Sequence, residues 1–555
     1  MSLTAPIVVS HTHGDRMPPA KTDKPLWKQK INIEQVKSSL DFDLSRLDTE
    51  GYEVLTAEDF YRLKMWGVCS QRTPGLHMVR MRITGGKVSA TQMRGLSELS
   101  ARVADGGVHI TTRQNLELHS VETRNVRRAL DGLRLLGISS RSTCGHTVRN
   151  VVGCSLSGIC PEETFDTRPT VEAISNFFVT RADHYNSHLP RRLNIYVAGC
   201  PSCMTHAQVN DLGFVATRRG GEMGFQFWCA GSLGAQPRLS HLLFGFVPVE
   251  EALAVTQAVA DVYCEHGFRD KPAKARLKYL IEEWGEEKFA AAVLERVTVL
   301  RPGTRVVRSG SMVVLGPDRR PPGGHKGVFP QRQEGYVRIE ARVALGDLED
   351  VQMEVLARLS EAHADGYIYL TKEQNAELHW IRSEAVDEVC GPLAEVALLP
   401  RGAGGLVDVQ VCAGTEWCVW GVGDSRGLAT DIEKELASVV ENDAAAEPLR
   451  VHISGCHHGC AQHQIADIGL VATAVKDGDE KGAGFEIFGG GRLGADPQPA
   501  HRLGRVPLWQ TSETVTTLLK AYLQERQSAE DFPSFLDRTG RKAPQHFPTQ
   551  TVSGP

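Results

Sequence analysis

The stretch Val451–Gly469, VHISGCHHGCAQHQIADIG, places Cys456 and Cys460 in a glycine-containing turn that follows a short β-prone run. Upstream, VCAGTEWCVWG (411–421) holds a second pair, Cys412 and Cys418. Two thiol pairs on short loops suit an iron–sulfur cube, because each iron takes one soft ligand. Structural zinc favours tighter C-x2-C spacings, and a disulfide needs an oxidising compartment. The spacing therefore favours the cluster.

Outward from this stretch the chain repeats itself. VHISGCHHGCAQHQIADIGLVAT from Val451 aligns without a gap on IYVAGCPSCMTHAQVNDLGFVAT from Ile195, at an offset of 256. DGYIYLTKEQNAELH (365–379) matches DGGVHITTRQNLELH (105–119) at an offset of 260, with eight of fifteen positions identical. WGVCSQRTPGLHMVRMRI from Trp66 and KGVFPQRQEGYVRIEARV from Lys326 keep that offset, as do GFQFWCAGSLGAQP and GFEIFGGGRLGADP. The chain reads as a fused duplicate.

Within each copy, runs such as VHITTRQNLELH and LRVHIS read as strands, and VEEALAVTQAVADVYCEHGF and VEAISNFFVTRADHY carry helix-period apolar residues. The interleaving predicts an α+β protein with mixed sheets. The expected boundaries are an N-terminal wrap (1–60), a small half-domain (61–140), a larger α/β half-domain (141–300), a Pro/Gly-rich basic linker (301–325), a second small half-domain (326–400), a second α/β half-domain (401–540) and a tail (541–555).

Composition sets the class. The chain has 555 residues, 41% hydrophobic and 23% charged, with a formal charge of −5, which gives no bias toward nucleic acid or membrane. The first residues are polar, no apolar run spans a bilayer, and thirteen cysteines without an export signal point to a reducing cytoplasm.

The copies differ in chemistry. Cys200 aligns with Cys456, but Cys203 falls one residue short of Cys460's place, where Met204 stands. Placing Cys144 against Cys412 puts Asn150 where Cys418 should be, which leaves a complete ligand set only in the second copy. Cations show the opposite bias: Arg80 and Arg113 face Glu340 and Glu373, and Arg149, Arg191 and Arg192 belong to the first copy. A site between a metal-bearing copy and an anion-handling one is expected.

These motifs together, TTRQNLELH, VRNVVGCSLSGICPEETFDTRP, LPRRLN, the C-x5-C with G-C-x3-C set and the paired GFxxxxxGxLG stretches, resemble the siroheme-dependent nitrite and sulfite reductases from about Trp66 to Arg526. The resemblance implies two ferredoxin-like half-domains and two larger α/β half-domains around one central cofactor site, related by a pseudo-twofold. It implies a 4Fe–4S cluster on Cys412, Cys418, Cys456 and Cys460, with Cys460 also the axial ligand of siroheme iron. It further implies Arg80, Arg149, Arg192 and Asn194 around the substrate, and Arg113, His119, Lys274, Arg276 and Lys278 as partners for siroheme carboxylates.

Asn194 stands where the family's sulfite reductases tend to have Lys, and a neutral group suits a singly charged anion. The expected activity is therefore six-electron reduction of nitrite to ammonia, with sulfite reductase as the alternative. A diverged tetrapyrrole-modifying enzyme or electron carrier is the reading from another class. No G-x-G-x-x-G opens a helix after a strand, so electrons are expected from outside, from ferredoxin docking on a basic patch such as Arg301–Lys326, onto a monomer.

Overall fold

The computed structural model describes residues 26–541 apart from 27–28, 201–203, 309–326, 400–401, 443–445, 447 and 478–479. Cys203 and most of the basic linker therefore lie outside the described residues. Four five-stranded sheets organise the described chain, two for each copy.

The first small sheet orders Val68–Ser70, Leu76–Met81, Leu116–Glu122 and Val108–Ile110, and its fifth strand is Asp347–Leu348 from the other copy. The second orders Val328–Pro330, Tyr336–Ala341, Ala376–Arg382 and Tyr367–Leu370, completed by Lys87–Ser89 from the first copy. Asp347 pairs with His109 and Lys87 with Tyr369, both antiparallel. Each exchanged strand is preceded by a left-handed glycine, Gly86 or Gly346, on which a Cβ would lie 2.5 Å from the Leu370 carbonyl or 2.9 Å from the Ile110 carbonyl. Only glycine allows that approach.

Val88 and Leu348 are fully buried, so each exchanged strand carries an apolar side chain into a core shared by both copies. Each such burial contributes about 1.5–3 kcal/mol. Helix Ala90–Val103, whose N-terminus is closed by a reciprocal Ser89–Gln92 box, meets Asp350–His363 through Arg94, which bridges Glu354 and Glu361.

Each larger sheet mixes directions. Val148–Gly153, Leu193–Ala198 and Leu212–Arg219 run parallel, and Glu222–Cys229 and His241–Pro248 continue antiparallel. The second copy repeats the pattern with Gln410–Val411, Val451–Ser454, Ile468–Asp477, Glu480–Gly489 and His501–Pro507. The cysteine loops leave the carboxyl ends of the parallel strands, the usual place for a ligand in such sheets.

Three local readings change. VHITTRQNLELH is a hairpin: Val108–Ile110 turns through Thr111–Asn115, with Gln114 at φ +55° and the Thr111 hydroxyl accepting from the Asn115 N–H, before Leu116–Glu122 begins. Arg113 thus sits at a turn. VEAISNFFVTRADHY breaks at Arg181 into Arg168–Thr180 and Ala182–His188. The start of the expected linker belongs to the first copy's larger sheet, since Val307 pairs with Phe246 and the Glu251 carboxylate accepts from the Arg305 N–H. No described helix is long and apolar enough to cross a membrane.

Candidate functional site: a sulfur quartet facing a buried arginine cluster

The four predicted ligands converge. Cys412 follows Val411, Cys456 follows Ser454–Gly455, and the Gly455 N–H donates to the Cys412 sulfur at 3.0 Å. Burial raises the Cys456 thiol to about 11, with Cys412 and Cys418 adding to it. Cys460 is raised by burial and then by Cys412, Cys456 and Cys418. Thiols that disfavour one another's ionisation in this way fit a group that brings positive charge, as cluster iron does. Cys460 keeps part of its surface open to solvent while the protein packed around it desolvates the thiol, and Arg192 is near enough to pull it down.

The first copy holds the second copy's cysteine loop. The Arg72 N–H donates to the Trp417 carbonyl at 3.0 Å, and its guanidinium donates to the Gly421 carbonyl at 2.6 Å. His119 stacks on the Trp417 ring at 3.9 Å, with Gln71 at its Nδ1 and Glu117 at its Nε2. Its position is that of a clamp on the Cys418 loop. The Thr112 hydroxyl donates to the Cys460 carbonyl at 2.9 Å.

In the first copy Arg113 feels Arg149, Arg276 and Arg80, Arg149 feels Arg80 and Arg276, and Arg192 feels Arg276 and Arg149, so the five form one chain of neighbouring cations. Burial, and then the neighbouring guanidiniums, push Arg113 and Arg192 down to about 9. Burial pushes Arg149 down to about 10. Arg192 and Cys460 lie close enough to perturb each other's ionisation, which brings the edge of the cation set to the sulfur set. Among the described residues the buried Nε atoms of Arg82, Arg113 and Arg149 and the Asn194 Oδ1 have no hydrogen-bond partner. Crowded cations with orphaned donors fit a polyanionic tetrapyrrole and a small oxyanion.

Not every predicted cation is spare. Arg276 is held by the buried Asp211 through two 2.8 Å bonds, and the Lys278 ammonium donates to the Gln236 carbonyl. Lys278 is pushed down to about 8 by burial and then by Arg276. Lys274 is exposed on the short turn Pro272–Lys274. Arg80 donates to Glu117 at 2.5 Å, to the Thr143 carbonyl at 3.2 Å and to the Cys144 sulfur at 3.4 Å. Burial opposes its charge, but Cys144 and Glu117 more than offset that and raise its pKa.

One sequence alignment is corrected. The end of Val148–Gly153 pairs with Leu193–Ala198 so that Gly153 faces Val197, just as Val411 faces Ile453. Cys154, not Cys144, is therefore the counterpart of Cys412, and Cys160 that of Cys418. Cys144 lies instead under Arg80, hydrogen-bonded to Cys69. Sequence reasoning also missed Asp211 and Arg82. Asp211 had a signal, because it aligns at an offset of 256 with Asp467, which likewise binds the backbone N–H at the start of its sheet.

Comparison with known proteins agrees with this architecture. The family described as "Nitrite and sulphite reductase 4Fe-4S domain" matches residues 144–300 and 402–540. "Nitrite/Sulfite reductase ferredoxin-like half domain" matches 70–136 and 329–396. The chain is 33% identical over 469 residues to the chloroplastic ferredoxin–nitrite reductase of Zea mays, covering 82% of this chain and 80% of that protein. It is 28% identical over 521 residues to the ferredoxin–nitrite reductase of Synechococcus elongatus, covering 92% and 98%. The assimilatory ferredoxin-dependent nitrite reductase of Haloferax mediterranei is 28% identical over 549 residues, covering 94% and 92%. The solved structure of the Mycobacterium tuberculosis NirA protein shares the fold at a TM-score of 0.83 and 24% identity, covering 93% of this chain and 97% of that one. With both half-domain types matched in duplicate and the four thiols gathered opposite the arginines, the chain belongs to the nitrite and sulphite reductase family, whose members carry siroheme and a 4Fe–4S cluster.

Proposed function

We propose that the chain reduces nitrite to ammonia with six electrons taken singly from ferredoxin. The observation that carries this reading is the gathering of Cys412, Cys418, Cys456 and Cys460, with Arg192 near Cys460. Its relatives named as ferredoxin–nitrite reductases point the same way. When bound, siroheme coupled to the cluster supplies a metal site for the anion beside a store of single electrons.

Cys412, Cys418, Cys456 and Cys460 would hold the cluster, with Cys460 the member nearest Arg192. Arg80, Arg149 and Arg192 bind the oxyanion and stabilise the charge that grows as its oxygens leave. Half-buried, they make contacts that are less screened than those on an open surface. Asn194 offers an uncharged amide to a singly charged substrate. Arg113 takes a siroheme carboxylate through its unpartnered Nε, its terminal amino groups being held by Asn210 and the Asn150 carbonyl. The reading places a monomer in the cytoplasm, where its thiols stay reduced.

The test is steady-state turnover with reduced ferredoxin and each anion, together with an absorption spectrum, pigment extraction and acid-labile sulfide. Ammonia formed far faster than sulfide is the expected result. A large preference for sulfite overturns the substrate, and no product from either anion overturns the enzyme.

A further inference from the structure

Of the three arginines assigned to the anion, one carries a carboxylate of its own. Arg80 on Leu76–Met81 stands opposite Glu117 on the neighbouring strand Leu116–Glu122, and its Nε donates to the Glu117 carboxylate at 2.5 Å. Arg149 donates instead to the Thr143 and Gly145 carbonyls. Among the described residues no carboxylate forms an ion pair with Arg149 or Arg192. The Thr143 carbonyl and the Cys144 sulfur accept from the Arg80 Nη1 at 3.2 and 3.4 Å. Nη2 is thus the Arg80 nitrogen left without a protein partner among the described residues.

Glu117 is itself buried and fixed. Its second oxygen lies 3.3 Å from the His119 Nε2. Gln71 assigns the tautomer of that ring. The Gln71 Oε1 accepts from the Ser120 N–H at 2.7 Å, which turns the amide nitrogen toward the His119 Nδ1 at 3.1 Å. A ring nitrogen that accepts a hydrogen bond carries no proton, so the ring is neutral and its proton sits on Nε2, facing the carboxylate. The negative charge of Glu117 is therefore matched by Arg80 and not by the imidazole.

The second copy shows what the carboxylate demands. Glu377 occupies the place of Glu117 and keeps its histidine, His379, at 3.2 Å. Glu340 stands where Arg80 stands, and the cation comes instead from Arg338, two residues earlier on the strand, at 2.5 Å from Glu377 and 3.3 Å from Glu340. The buried carboxylate takes an arginine in either half, as a buried charge must. Only in the first half is that arginine one assigned to the substrate. Arg80 then offers an anion a hydrogen-bond donor whose charge is largely cancelled, while Arg149 and Arg192 offer theirs in full.

On the reading of this site as one for a small oxyanion, we propose that Glu117 is a positioning residue that sets substrate preference: it fixes Arg80 through Nε, leaves Nη2 to the anion, and cancels enough charge to favour nitrite over the sulfite dianion. The Coulomb energy scales with the product of the charges, so cancelling one cation costs a dianion twice what it costs a monoanion. The hydrogen bond from Nη2 is kept by both. Asn194, uncharged at the same site, acts in the same direction.

The test is Glu117→Gln in the holoprotein, which keeps the side-chain shape and an oxygen for the Arg80 Nε while removing the charge. Dissociation constants for nitrite and sulfite come from calorimetric titration, and KM and kcat from turnover with reduced ferredoxin, at a pH where sulfite is the dianion. The preference for nitrite, taken as the ratio of the two dissociation constants, should fall about tenfold or more, with siroheme and cluster iron per chain unchanged. In the double variant Arg80→Gln, Glu117→Gln the pair is again neutral, and the ratio should return toward that of the wild type. A merely structural role predicts no such return. An unchanged ratio in Glu117→Gln, or equal losses of affinity for both anions, overturns the proposal while nitrite turnover by the wild type still upholds the function. A wild-type protein that binds neither anion overturns both.

Discussion

Arg149 and Arg192 carry charge in a buried cluster that depresses both, so their positive charge is held at a cost that an anion relieves. Replacing either with Ala should slow nitrite turnover by about 2–4 kcal/mol of transition-state stabilisation, as removal of an oxyanion donor does. Turnover measured with reduced ferredoxin checks this, and unchanged rates in both variants remove them from the site. Arg276 differs because its partner is a buried carboxylate, whereas Arg149 donates to the Thr143 and Gly145 carbonyls. Arg276→Ala strands the buried Asp211 carboxylate, and urea unfolding should register a loss of about 3–5 kcal/mol. His77 reports on pH: burial pushes it down to about 4, and its Nε2 faces the Thr123 hydroxyl. As pH falls below about 6.5 the unfolded chain takes up a proton that the folded one refuses until about 4. His77 therefore stabilises fully above that window, and roughly 2 kcal/mol should be lost between pH 7 and pH 5. His77→Phe should flatten that part of the urea-measured profile.

Among the elements, the exchanged strands and the clamped loops were the hardest to read. Lys87–Ser89 and Asp347–Leu348 are too short to show an alternating pattern, and their pairing is made by backbone groups that no side chain advertises. The quartet of Cys412, Cys418, Cys456 and Cys460 was legible because its spacing is itself the signal. Arg80 and Arg113 stood out because the repeat breaks at them. Cys154 and Cys160 were missed because Cys144 and Asn150 offered a rival alignment, which only hydrogen-bonded register could reject. Asp211 escaped because a buried carboxylate is defined by its partner, and Arg276 lies far along the chain. Gly107 tests the exchange directly: at φ +91° a Cβ would meet the Leu348 carbonyl at 2.3 Å. Gly107→Ala should cost several kcal/mol through strain and a lost strand contact, visible as a lower melting temperature.

For the whole molecule, duplication explains how one chain builds a site that neither half contains. The second copy supplies sulfur, the first supplies cations, and each reaches across to hold the other's loop through Arg72 and Arg332. The division into copies was readable from the offsets of 256 and 260, and the four half-domains from the family resemblance. The handedness of the exchange was not, because sequence similarity between copies says nothing about which copy's strand completes which sheet. The strand exchange also bears on biogenesis. While the ribosome is still translating the later half, the nascent earlier half exposes an unzipped sheet margin at Val108–Ile110 and a projecting ribbon at Lys87–Ser89. The larger sheet of the first copy holds only its own strands, but the small half-domain cannot close its margin until residues near Asp347 emerge from the exit tunnel, and until then it is at risk of aggregating or needs a chaperone.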